Sequence, residues 1–193
     1  MTIRPGAWLL PAFLCALPAA AGEMRPPIEV SSVADRVLAA RPGDSLFLVV
    51  GDRITTARVD RSGISSRGIN LRIETNKLHG QVGGQRVELE LQAARIIGRI
   101  GARDIVLDVG RSAGALKVRG KFGARAVSED LAPGGVTAEI GPCRYDLKFQ
   151  HMEYWGQVGC GAQPEGVRLR VPAALVARSD VEIAALFTAL LSR

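Results

Sequence analysis

From Leu78 onward the chain alternates apolar and polar residues in a recurring phrase, apolar-x-Gly-x-apolar-Gly-x-x-x-apolar-x-Leu-x-apolar. One copy spans residues 78–91 and another 96–109; weaker copies start at Val118, Val136 and Tyr154, and half a copy lies at 69–73. Successive units start 18, 22, 18 and 18 residues apart. Eighteen residues hold two short strands and two tight turns. Glycine is the residue that hairpin turns with positive φ favour, so Gly83-Gly84 and Gly101-Ala102 are placed at turn centres. Ile100 then faces Arg103, Gly98 faces Ile105 and Ile96 faces Leu107. Strand parity puts Ile96, Gly98, Ile100, Ile105, Leu107 and Val109 on one side of the sheet. Arg99, Asp104 and Asp108 fall on the other, as do Glu88 and Glu90 of the preceding unit. The recurrent glycine is read as making room for the large residue opposite it.

The four additional residues at 110–117 lengthen two strands around a turn near Ser112-Ala113 without flipping their faces. Upstream, 45–50, 53–59 and 64–73 read as further strands, rich in β-branched residues and separated by turns at Gly51-Asp52 and 60–63. The pattern therefore predicts an all-β fold: an antiparallel up-and-down meander of about a dozen short strands. One apolar face has to be covered, by rolling into a barrel or by wrapping around the C-terminal helix. The alternative is a β-solenoid with one 18-residue coil per repeat. An outer-membrane barrel is disfavoured, because the strands are short and their outward positions are charged.

That helix is predicted within 172–193. Ser179-Asp180-Val181-Glu182 has the capping-box pattern, and Ile183, Leu186, Phe187, Leu190 and Leu191 form an apolar stripe at helical spacing. The stripe is read as the core side of an amphipathic helix laid on the sheet. A membrane-surface role is disfavoured because few basic residues flank it. Segment 22–43 is read as a linker with a short helix at 31–40, and 44–171 as the β domain.

Residues 1–21 have a basic start, an apolar run and small residues at 19–21, the pattern of a secretory signal peptide. Cys15 lies within that run, but Phe13 and Leu14 before it are poor for lipoprotein processing. Without this leader the chain holds 24 basic and 19 acidic residues, a net charge of +5, and two cysteines, Cys143 and Cys160. Export to an oxidising compartment, the periplasm or the exterior of a bacterium, would pair them. Such a bridge contributes roughly 3 kcal/mol. The meander is read as setting their turns two strands apart, a gap to be closed by an enlarged turn at 159–166.

No catalytic constellation, nucleotide loop or metal-ligand spacing appears, and no cofactor is implied. The glycine-rich runs lead into strands, not helices, so they are turns. His79 and His151 are read as surface residues. Three features carry candidate function. Arg67, Arg103 and Arg125, with Gln85 in the same series, fall beside successive tight turns and would ring one rim as an anion-binding collar; snorkelling over the core is the plainer use of such arginines. Trp155 points outward and could contact a glycan or protein partner, or else pack beneath the turn at 159–166. Glu129 stands where other units have leucine. It is expected to mark a bulge or an early strand end, the alternative being an interior acid facing a ligand cavity.

These features predict an exported cell-envelope protein with a binding or structural role. A carrier of a small apolar ligand inside a barrel is the alternative, and an enzyme of unknown type ranks third. The mild positive charge prefers an anionic envelope component or a protein partner, while the mixing of acids with bases argues against nucleic acid.

Overall fold

The computed structural model describes residues 45–161 and 163–192, together with Leu38, Ala39 and Gly43. The predicted signal peptide and almost all of the predicted helix at 31–40 lie outside the described residues. Fourteen antiparallel strands form a closed barrel. They are β1 (Ser45–Val50), β2 (Arg53–Asp60), β3 (Gly63–Ser65), β4 (Ile69–Glu74), β5 (Lys77–Val82), β6 (Gln85–Gln92) and β7 (Arg95–Ile100). The meander continues through β8 (Arg103–Ser112), β9 (Ala115–Phe122), β10 (Arg125–Ala132), β11 (Gly135–Ile140), β12 (Cys143–Gln150), β13 (Glu153–Gly159) and β14 (Glu165–Arg170). Each strand pairs with its chain neighbours, and β1 closes on β14 through Phe47↔Arg170 and Val49↔Arg168. The solenoid alternative is thereby excluded.

Parity fixes the pairings as the sequence predicts. Ile96↔Leu107, Gly98↔Ile105 and Ile100↔Arg103 are all present. The extended hairpin keeps its faces and turns at Ala113-Gly114, one residue later than read. The segment read as one strand over 64–73 is two, β3 and β4, broken by a turn at 66–68.

The repeated glycine has a different role from the one read. Gly98 does face Ile105 and Leu89, but its φ is 154° and a Cβ there would overlap the carbonyl oxygen of Glu88 on β6. Gly80 stands in the same relation to Asn70 on β4. The glycine lets the strand coil against its neighbour's backbone, a device of strongly curved sheets.

After β14 a short helical turn, α1 (Ala173–Val176), leads to α2 (Asp180–Leu191). The capping box forms as predicted: Ser179 Oγ accepts from Glu182 N, and Glu182 accepts from Ser179 N at 2.9 Å. However, α2 is not amphipathic. Ile183 and every residue from Ala184 to Leu191 are buried, so no face is left for water. The helix runs inside the barrel. A ring of fourteen strands spaced about 4.8 Å apart and tilted by about 40° measures roughly 28 Å across. A helix with its side chains takes about 10–12 Å of that, and inward side chains of the wall fill the remainder. The core is continuous, from Leu46, Ile64 and Leu89 on the wall to Phe187 and Leu190 on the helix. Outward positions carry Glu88, Arg99, Asp104 and Arg119, all exposed or paired with one another across strands. That exterior is the reverse of the apolar band a bilayer requires. Among the described residues no helix is long and apolar enough to cross a membrane.

Cys143 and Cys160 are disulfide-bonded, with Cα atoms 4.0 Å apart. The expected two-strand gap does not exist. Cys143 opens β12 and Cys160 follows β13, and these strands are neighbours with Arg144 opposite Gly159. The bridge therefore extends their ladder at one rim.

Candidate functional site

The up-and-down topology divides the barrel's features among a lumen, two rims and an outer face. Among the described residues the lumen contains one acidic side chain, Glu129. No bulge interrupts β10 there: Glu129 sits in register between Val118 and Ala138. It faces the helix and not a ligand cavity. Thr188 Oγ1 donates to Glu129 Oε1 at 2.6 Å, while Oε2 has no hydrogen-bond partner among the described residues. Burial disfavours the charged form and raises the carboxyl pKa to about 7, against the opposing pull of the Thr188 hydrogen bond and of Arg119. From outside the wall, Arg119 donates to the Glu129 carbonyl at 2.8 Å.

Two tyrosines finish the interior. Tyr145 donates to the Leu191 carbonyl at 2.8 Å and so ties the last turn of α2 to β12. Tyr154 points inward as parity requires; its hydroxyl donates to the Ala132 carbonyl at 3.0 Å and accepts from Ala39 N at 2.8 Å. Burial holds that phenol well above its ordinary pKa.

α2 begins at the rim holding the turns after β2, β4 and β6 and ends at the opposite rim, where the predicted arginines lie. Arg103 and Arg125 open β8 and β10, while Arg67 lies within the turn before β4 and not just after it. All three are exposed. Arg53, which opens β2 with the same inward parity, belongs to the same ring and was not singled out from sequence, since its turn lies ahead of the regular repeat. None of the four makes an ion pair with a described residue. Arg103 instead lies over the Phe122 ring, 5.1 Å from its centroid, so part of the snorkelling use is realised. The structure splits the ring into two groups: Arg53, Arg67 and Gln85 line one cavity, and Arg103 and Arg125 line another beside Phe122.

On the outer face, Trp155 is 38% exposed. The guanidinium of Arg168, its cross-strand partner, lies 4.2 Å from the ring centroid. Arg168 and Arg170 also flank Phe47 at 5.6 and 5.3 Å. Both arginines bind the carboxylate of Glu153, which is almost fully buried, at 2.8 Å each. Burial alone would raise the Glu153 pKa; the hydrogen bonds from Arg168 and Arg170 outweigh it and hold the pKa below the usual range. Nothing in the repeat marks Glu153, because its partners are 15 and 17 residues away and become neighbours only across the β13–β14 ladder.

His79 approaches the Glu74 carboxylate at 3.1 Å on the exterior. His151 and Met152 form an exposed turn in which both residues have positive φ. Among the described residues no group of three or more His, Cys, Asp or Glu side chains is placed to hold a metal ion. Compared with family models, curated proteins and solved structures, the chain finds no match in any of the three.

Proposed function

We propose that this chain is an exported cell-envelope binding module that meets an anionic envelope component at the arginine rim. One observation carries the reading: the barrel's lumen is filled by its own helix, with residues 183–191 of α2 buried. Contact with a partner then falls to the rims and the outer wall, and the place where a carrier would hold a small apolar ligand is taken by α2. Of the two rims, the one around the C-terminal end of α2 holds Arg53, Arg67, Arg103 and Arg125 without described carboxylate partners. At the opposite rim several charges are paired, as in Arg111 with Asp180 at 2.6 Å and Arg178 with Glu182 at 3.7 Å. The Cys143–Cys160 bridge is compatible with export.

The test is retention on a dextran-sulfate resin as salt is raised. Three exposed cation contacts at a few tenths of a kcal/mol to 1 kcal/mol each correspond to about a tenfold loss of affinity. R67Q/R103Q/R125Q is expected to show that loss and elute at distinctly lower salt. R61Q/K77Q/R95Q, which removes as many charges from the opposite rim, is expected to elute close to the unsubstituted protein. Equal shifts for both variants would mean that net charge alone is responsible and would remove the proposal.

A further inference from the structure

We infer that the opening between the end of α2 and the β2–β5 side of the rim is a binding site for a single-chain amphiphile with an anionic head, a carboxylate or a phosphate monoester. This rests on reading the rim as an anion-facing surface and narrows it to one site and one ligand class. The cavity has a volume of about 560 Å³, within the usual range for small-molecule sites. Its lining divides by chemistry. Arg53 and Arg67 supply two exposed guanidiniums without carboxylate partners among the described residues. Beside them lies Ser66, whose Oγ is buried and has no hydrogen-bond partner among the described residues; a buried hydroxyl left unpaired is costly, and a small rotation about its side-chain bond would turn it to the cavity. Ile69, Val82 and Ala189, all buried, form the apolar end.

The arginines are not consumed in capping the helix. Thr188 O accepts from Ser192 N, Ala189 O from Ser192 Oγ and Leu191 O from Tyr145. Their forked donors match the oxygens of a carboxylate or phosphate. A head held by Arg53, Arg67 and Ser66 directs its tail along Ile69 and Val82 toward Ala189. A cation meets two like charges there, and a neutral alcohol leaves both guanidiniums unpaired.

Calorimetric titration of the purified protein with octanoate, octyl phosphate, hexanoate and octanol tests this. Octanoate or octyl phosphate is expected to bind one to one, and the tighter of the two identifies the head. Loss of two methylenes in hexanoate should weaken binding by about tenfold, and octanol should bind at least about tenfold more weakly than octanoate. R53Q/R67Q should lose about tenfold or more of the affinity at unchanged thermal midpoint, while R61Q/K77Q, at the opposite rim and outside this cavity, should bind as before. Equal binding of octanol and octanoate, an unaffected R53Q/R67Q, or no binding of either anion would overturn the inference. If dextran-sulfate retention still depends on the rim arginines while both anions fail to bind, only the cavity is wrong. If that retention is also independent of the arginines, the rim reading falls with it.

Discussion

Glu129 is the residue at which the repeat departs most from its own rule, and the departure has a thermodynamic signature. A carboxyl with a raised folded pKa holds its proton in the native state at pH values where the unfolded chain has released it. Stability from this group is therefore lost as pH rises from about 4.5 to about 7 and is level above that. The loss is on the order of 3 kcal/mol. Asp130 and Glu153 act with the opposite sign. Burial raises their pKa values, but the hydrogen bonds from Lys117 and Arg119 on one and Arg168 and Arg170 on the other hold both low. Their contributions disappear only as pH falls below the ordinary carboxylate range. Urea unfolding should thus show greater stability at pH 5 than at pH 8. E129Q, which can keep the contact with Thr188 but cannot titrate, should flatten that difference; a slope unchanged in E129Q would exclude Glu129 as its source. The sequence exposed the anomaly as a carboxylate at a leucine position. It did not reveal the partner, because Thr188 is 59 residues away and meets β10 only through the barrel's interior.

At the scale of elements, strand pairing was legible because parity is a local property. Two tight turns were enough to predict Gly98↔Ile105 and its neighbours. The glycine's function was less legible, since sequence reports the missing side chain and not the backbone oxygen that requires its absence. The distinction is testable. G98A should lose on the order of 3 kcal/mol, from a disfavoured φ and a clash that neither strand can relieve without breaking the ladder. G110A, where a Cβ meets open space and φ is not positive, should stay within about 0.5 kcal/mol of the parent. Thermal or urea midpoints of the two variants decide it, and equal losses would mean that the repeat glycines only make room for large residues. For α2, the stripe of Ile183, Leu186, Phe187, Leu190 and Leu191 was visible, and its reading as one face was wrong. Ala184, Ala185, Thr188 and Ala189 on the remaining arc are small and uncharged, and a helix without a charged face belongs inside. That signal was in the sequence as the scarcity of lysine and arginine along the helix.

At the scale of the molecule, closure is what no local pattern conveys. β1 and β14 are more than a hundred residues apart in the chain, and neither their register nor the strand number follows from any single hairpin. What selects closure is the total: an unbroken apolar face, no edge strand left to protect, and a helix of the right width to fill the space enclosed. The same arrangement moves the candidate sites outward. The predicted arginines lie at one rim and Arg53 joins them, while the Phe47, Arg168, Arg170 and Trp155 ladder forms on the wall beside the closure seam. The central claim is that α2 fills the barrel, and thiol labelling tests it most directly. Cysteines placed singly at Ile183, Ala184, Ala185 and Leu186 step around the helix by about 100° each, with the Cys143–Cys160 bridge left intact. A water-soluble maleimide is predicted to leave all four unmodified in the folded protein and to label each in denaturant. Rapid labelling of any one of them in the folded protein would show a helix with an exposed face and contradict the account.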